Sequence, residues 1–593
     1  MGRTTFTCAL LLAALTALHG GLLPTAHADS AAPEAATGYT PKSGTYARDF
    51  MIAAANPLAV DAGYAILKAG GSAVDAAIAT QMVLTLVEPQ SSGIGGGAFL
   101  LHFDGKAVQA FDGRETAPAA VNETLFQNPD GSNIGFREAV VGGRATGVPG
   151  VLRMLELAHR QHGKLPWASL FAPAIALSRD GFAVSPRLHR LLRGDAYLKL
   201  DPQAGAYFYD PAGEPWPIGH RLKNPALAQT LEEIARGGAD AFHTGRIARD
   251  IAAKVRGHAR NPGSLTAEDI AGYRAVLRTP VCSAYRSWTV CGVPPPSSGG
   301  IAVAQMLGIL DQRNIGAFPP SAGVTHPEGV HLFAEAGRLA YADRARYVAD
   351  PDFVALPGNS VEALLDQRYL ADRAALIGER SMGVARAGTP LPTPLARGRD
   401  DSPELPSTSH MSIVDARGNA VAMTTTIEDA FGSRQMVNGF LLNNQLTDFS
   451  FTARDADGPV ANRVQPGKRP RSSLAPTFVF DTATGKLVLM TGSPGGSAII
   501  NYVAKVLVGS LGWGLDAQAA IDLPNMGSRN GATELERGRV SDALVQALKA
   551  KGHEVRLSEQ VSGVHSIARV LVDGQAMWFG AADPRREGAS RGD

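Results

Sequence analysis

The strongest constraint on the fold lies between residues 404 and 448. Met411–Asp415 alternates apolar and polar side chains, Ala416-Arg417-Gly418-Asn419 has turn chemistry, and Ala420–Ile427 reads as a second strand, so the stretch predicts a β-hairpin. Thr408 stands just before the first strand, behind a segment (residues 382–407) whose Pro, Gly and Arg content is that of a mobile linker. A cut between Ser407 and Thr408 would make this threonine a new N-terminus. Its hydroxyl is a poor nucleophile without a base beside it, and its own α-amine, with a pKa of ~7.7–8, supplies one.

A chain of 593 residues is too long for one simple core and implies either several domains or one large intertwined body. Its 45% apolar and 19% charged content excludes a disordered polymer. The formal net charge is +1 and no basic block stands out, which argues against nucleic acid as a partner. Residues 1–28 read as a secretory signal: Arg3, the short apolar run Cys8–Leu18, and Ala26-His27-Ala28 as a small-x-small cleavage site. That run is too short to span a bilayer, so the expected product is periplasmic or secreted, with no membrane association once the signal is removed. Residues 29–47 read as a flexible lead-in. After signal removal only Cys282 and Cys291 remain, on either side of a short hairpin pattern. They are either a disulfide, which export permits, or two buried thiols. No His-Glu-x-x-His or paired Cys-x-x-Cys occurs, and neither a catalytic metal nor a cofactor is expected.

Pro57–Leu67 and Ser72–Leu86 have helical patterns. The glycine run Ser91–Gly97 leads into an apolar strand, Ala98–Phe103, and not into a helix. It lacks Gly-Lys-Ser/Thr, so it is a tight turn near the active site and not a phosphate cradle. Helical periodicity dominates from Val148 to about Arg380, as in Val151–His162, Leu227–Arg236 and Val330–Val348. The cysteine hairpin and the stiff loop Pro294–Gly300 interrupt it. Strands are expected at Leu474–Phe480, Lys486–Thr491, Val555–Leu557, Ser566–Val572 and Ala576–Phe579. Helices are expected at Ala498–Leu511 and Asp542–Lys551, and the terminal Arg591-Gly592-Asp593 reads as a polar tail. Two strand sets with helices outside suggest stacked sheets between helical layers, an α+β arrangement.

Several motifs together carry a resemblance. Thr-Ser-His-Met-Ser-Ile-Val-Asp from 408, Gly-Asn-Ala-Val-Ala from 418 and Leu-Leu-Asn-Asn-Gln-Leu-Thr-Asp from 441 resemble the γ-glutamyltranspeptidase (glutathione hydrolase) family. So do Lys-Arg-Pro-Arg-Ser-Ser at 468–473 and Thr-Gly-Ser-Pro-Gly-Gly-Ser at 491–497, and the similarity runs in order from about residue 48 to about 584. It implies the αββα four-layer sandwich of N-terminal nucleophile hydrolases. It also implies a precursor that cuts itself at Ser407/Thr408 into a large subunit (48–407 after the lead-in) and a small one (408–593) that stay together. The substrates implied are glutathione and related γ-glutamyl amides, with water, an amino acid or a peptide as acceptor.

The resemblance also assigns roles. Thr408 is the nucleophile, Thr426 orients it, and Gly495 and Gly496 form the turn whose N–H groups stabilise the oxyanion. Arg114, Ser472 and Ser473 take the substrate α-carboxylate, for which a planar guanidinium is suited. Gln445 and Asp448 take the α-ammonium. The chain departs from the family pattern in having Glu428 where Asn is usual, which either strengthens the hold on the ammonium or repels Asp448. The segment between Asp448 and Ser472 is also short and lacks the lid tyrosine, so hydrolysis is expected to outweigh transfer. Two other readings remain: a glutaryl or cephalosporin-type acylase of the same fold, and an exported binding protein on an inactive scaffold. Retention of Arg114, Gln445, Asp448, Ser472 and Ser473 disfavours the first, because an acyl group without an α-amine has no use for Asp448; an intact Thr408, Thr426, Gly495 and Gly496 set disfavours the second.

Overall fold

The computed structural model describes residues 38–391, 396–400, 402 and 407–593. The expected signal at 1–28, and much of the stretch just before Ser407, lie outside the described residues.

Two seven-stranded sheets, antiparallel throughout, form the centre. The first runs Ala589–Gly592, Met51–Ala54, Ser407–Val414, Ala420–Glu428, Gly97–Phe103, Val108–Asp112, Val276–Arg278. The second runs Thr45–Ala47, Gln575–Ala582, His565–Val572, Leu487–Thr491, Thr477–Asp481, Trp288–Gly292, Val281–Tyr285. Because side chains alternate along a strand, Met51–Ala54 divides cleanly. Ile52 and Ala54 join Met411, Ile413 and Met423 against helices Pro57–Lys68 and Ala73–Val87. Met51 and Ala53 join Ala422 and the second sheet's Phe478, Met490 and Ile567, in a core that continues into helices Gly299–Gln312, Pro327–Tyr347 and Ile499–Leu507. The result is a helix–sheet–sheet–helix stack, the expected αββα architecture. Helix Ala73–Val87 is buried along its whole length, as its nearly unbroken apolar sequence requires, and Ser72 and Asp75 close its start with a capping box.

Four expectations need correction. Thr408 does not precede its strand; it is the second residue of Ser407–Val414, because the uncut backbone continues pairing with Ala420–Glu428. The described part of the lead-in is not loose: Thr45–Ala47 pairs with Gln575–Ala582, and Lys42 Nζ donates to the Arg586 carbonyl at 2.7 Å. The terminal residues are not a free tail, since Ala589–Gly592 pairs with Met51–Ala54 and Arg591 lies over the Tyr64 ring. The described parts of the linker are also tied down: Gly388 N–H donates to Asp343 at 2.8 Å, and Asp400 pairs with Arg471 at 2.9 Å. In each case backbone or charged groups find partners that composition does not reveal. Cys282 and Cys291 face each other in register and are joined as a disulfide, which decides between the two readings.

Candidate active site

The register between the two central strands slips at one point. Ser407 pairs with Glu428 and Thr408 with Thr426, so Ile427 is the extra residue of a bulge opposite the Ser407–Thr408 bond. The ladder is broken where the chain is expected to be cut. The polarity of the hydrogen bonds there is determined by their ends. Glu428 N–H donates to Thr426 Oγ at 2.9 Å, and Thr426 Oγ donates to the Ser407 carbonyl at 2.5 Å. With its one proton committed to that carbonyl, Thr426 accepts from the Thr408 hydroxyl at 3.4 Å. The glycine run makes this approach feasible: a Cβ on Gly96 would sit 2.1 Å from the Thr426 carbonyl oxygen. The tight turn read from the sequence therefore does lie against the site.

His410 lies two residues beyond Thr408 on the same strand, but its ring is engaged elsewhere. Nδ1 meets Thr424 Oγ at 2.8 Å, Nε2 meets Ser412 Oγ at 3.1 Å, and burial pushes its pKa down to about 3.

Thr408 and Thr426 open onto one cleft with Arg114, Glu428, Gln445, Asp448, Ser472, Ser473 and Gly496. Leu474 and Ile499 complete its lining. Gly495 precedes Gly496 in the turn that opens helix Ile499–Leu507; its φ of +136° and a Cβ position only 2.6 Å from Tyr502 Cε2 both require glycine. At the far end Arg114 is buried. Its Nη2 pairs with Asp448 and donates to the Arg471 carbonyl at 2.8 Å, while Nε donates to the Pro470 carbonyl at 3.1 Å. Gln445 Nε2 donates to Asp448 at 2.7 Å. Glu428 occupies the left-handed region, with φ +79°, and its carboxylate accepts from the Asn444 amide. A guanidinium, two carboxylates and two serines thus surround a narrow cleft that ends at a threonine hydroxyl.

A γ-glutamyltranspeptidase family model matches residues 59–592. The chain belongs to that family. It is 37% identical to the glutathione hydrolase proenzyme of Escherichia coli K12 over 551 residues, covering 91% of each chain. Against the glutathione hydrolase proenzyme of Bacillus subtilis 168 it is 36% identical over 558 residues, 92% of each. Among solved structures, a cephalosporin acylase from Bacillus halodurans superposes with TM-score 0.79 at 27% identity, covering 95% of this chain and 99% of that one.

Around these family positions stand residues that sequence reading missed. Arg586, near the C-terminus, donates to the Thr408 carbonyl at 3.1 Å. Asn443 ties the glycine run to the site, donating to the carbonyls of Gly95 at 2.8 Å and Gly147 at 3.0 Å. Glu115 lies 3.8 Å from Arg114 Nη1, and burial pushes its carboxyl up to about 8 against the pull of that guanidinium. Arg344 and Tyr341, on helix Pro327–Tyr347, reach the site's two supporting loops. Among the described residues, His331, Glu335 and His553 are the one His/Glu group close enough to share a metal. Their polar atoms are already occupied: His331 meets His553 at 2.8 Å, and Glu335 accepts from Arg338 at 2.9 Å and Ser381 at 2.8 Å. None of the three lines the cleft.

Proposed function

We propose that the chain is the precursor of an exported, self-processing γ-glutamyl hydrolase/transferase acting on glutathione and related γ-glutamyl amides. The observation that carries this reading is the Thr426 hydroxyl. It donates to the Ser407 carbonyl while accepting from Thr408, in a cleft that ends at the paired Arg114 and Asp448. In the precursor, Thr408 Oγ attacks the Ser407 carbonyl carbon, which the Thr426 hydrogen bond polarises. The C–N bond breaks, the hydroxyl proton passes to the departing nitrogen, and water hydrolyses the resulting ester. This leaves a free Thr408 α-amine and a Ser407 carboxylate.

That amine is then the base. Thr408 Oγ attacks the γ-carbonyl of the substrate, the oxyanion points to the turn at Gly495 and Gly496, and the proton passes through the amine to the leaving nitrogen. The γ-glutamyl–Thr408 ester is resolved by water or by an acceptor amine. A zwitterionic glutamyl end suits the far wall: its carboxylate faces Arg114, Ser472 and Ser473, while its ammonium faces Asp448, Gln445 and Glu428. Each charge of the Arg114–Asp448 pair then keeps an opposite partner, which a buried ion requires. A glutaryl group has no ammonium and leaves Asp448 and Glu428 facing nothing positive in the ligand. The acylase reading is weaker on that ground, although an acylase shares the fold.

The test pairs N-terminal sequencing with kinetics. Purified protein is expected to give a fragment beginning Thr408-Ser409-His410, absent from a Thr408→Ala variant, and to cleave γ-glutamyl anilides faster than glutaryl anilides. A wild-type chain that stays intact on prolonged incubation, or a preference for glutaryl, would refute it.

A further inference from the structure

Ser472 and Ser473 sit on a loop with no regular structure of its own, yet carboxylate recognition needs both hydroxyls aimed as donors. Their surroundings explain how. Arg344 is buried in helix Pro327–Tyr347, and its guanidinium forks: Nε donates to Ser298 Oγ at 2.7 Å and Nη2 donates to Ser473 Oγ at 2.6 Å. Ser298 Oγ in turn donates to the Ser472 carbonyl at 2.7 Å, and Ser298 N–H reaches the same oxygen at 2.7 Å. The direction of this relay is determined, because a guanidinium only donates and a carbonyl only accepts. The Ser473 hydroxyl therefore receives from Arg344, and its hydrogen is turned away from the guanidinium. Ser472 is arranged in the same sense from the other side, with Leu474 N–H donating to its Oγ at 3.1 Å. Both serines have an acceptor position filled by a pure donor. That polarity turns each hydroxyl hydrogen away from its donor neighbour, the sense that donation to a carboxylate demands.

We infer that Arg344, through Ser298 and Ser473, is a positioning residue that sets the enzyme's requirement for an α-carboxylate on its substrate. This rests on the reading that Ser472 and Ser473 receive that carboxylate. It also gives a role to the Pro294–Gly300 loop: Ser298 is the means by which a distant helix holds the recognition loop. A lysine cannot replace this arginine, since one ammonium lacks the planar fork that reaches two hydroxyls at once.

Steady-state kinetics on the mature enzyme decide the matter, using γ-glutamyl p-nitroanilide and 4-aminobutanoyl p-nitroanilide, which lacks only the α-carboxylate. Arg344→Lys is expected to raise KM for the γ-glutamyl substrate about tenfold, the cost of one weakened charge-assisted contact, with kcat changing little. The preference for γ-glutamyl over 4-aminobutanoyl should fall by a similar factor. Ser298→Ala, which removes one anchor and keeps the charge, should lower the preference less. It decides the question alone if Arg344→Lys does not mature. Tyr341 lies on the same helix but donates its hydroxyl to the Ser497 carbonyl instead, so Tyr341→Phe should leave the preference unchanged.

An unchanged preference in the Arg344 and Ser298 variants, or an equal loss on both substrates, overturns the inference. Ser473→Ala separates the two levels. If it lowers the preference while Arg344→Lys does not, only the positioning role fails. If neither lowers it, the carboxylate assignment itself fails.

Discussion

Glu115 places a carboxyl 3.8 Å from the guanidinium proposed to grip the substrate. Burial raises its pKa from 4.5 to about 8, so in the folded protein it is neutral through most of the neutral range. The sign follows directly. Between the unfolded and folded pKa values the native state holds a proton that the unfolded chain has lost, so this group's contribution to stability falls as pH rises across that window. Ionisation at the top of the window sets a fixed negative charge against Arg114, where it competes with the substrate carboxylate. KM for a γ-glutamyl anilide should therefore climb above about pH 8, and Glu115→Gln should remove that part of the climb. Parallel KM profiles for the two proteins, compared point by point, check this; coincident profiles would exclude a role for Glu115. The residue was visible in the sequence beside Arg114, but its protonation depends on burial created by strands far away. Thr408, Arg114, Asp448 and the serine pair were legible because each lies in a compact motif. Arg344 and Tyr341 were not, because Ser473 and Ser497, which they reach at the site, are more than 100 positions distant and a charge inside a helical pattern reads as solvated surface.

Elements with long, regular periodicity were legible in the same way. Val151–His162 was located as read, and the predicted helix at 330–348 is Pro327–Tyr347. The short edge strands Thr45–Ala47 and Ala589–Gly592 were not, since three or four residues carry no period and are held in place only by their neighbours. The segment between Asp448 and Ser472 is the element that bears most on reaction outcome. It forms a small exposed hairpin, Arg454–Asp455 with Gly458–Pro459, and none of residues 449–471 lines the cleft. With no tyrosine and no lining of the cleft by this segment, water should reach the proposed γ-glutamyl ester without displacing a lid. Hydrolysis is therefore expected to exceed transfer at low millimolar acceptor. Quantifying free glutamate and γ-glutamyl dipeptide across a titration with glycylglycine checks it; transfer dominating throughout would show that acceptor binding, not access, controls the ratio.

For the whole molecule, the proposed cut at Ser407/Thr408 divides the chain without dividing the fold. Met51–Ala54 of the large piece is inserted between two stretches of the small one, Met411–Val414 and Ala589–Gly592. Gly97–Phe103 pairs with Ala420–Glu428, Trp288–Gly292 with Thr477–Asp481, and Thr45–Ala47 with Gln575–Ala582, so both sheets are stitched from both pieces. The two apolar cores likewise draw side chains from each side of the cut, such as Ile52 with Met411 and Val290 with Phe478. Such a junction is made of ladder hydrogen bonds and buried apolar surface. Salt at 1 M, where the Debye length is ~3 Å, screens surface ion pairs but leaves those terms intact. The mature protein should therefore elute as one particle containing both fragments in 1 M NaCl, and should melt in one transition at which both leave solution together. Elution of separate fragments, or a first transition that releases one piece while the other stays folded, would mean that the two pieces hold separate cores. The interleaved strands leave neither piece a complete sheet of its own, so separation and unfolding should be the same event.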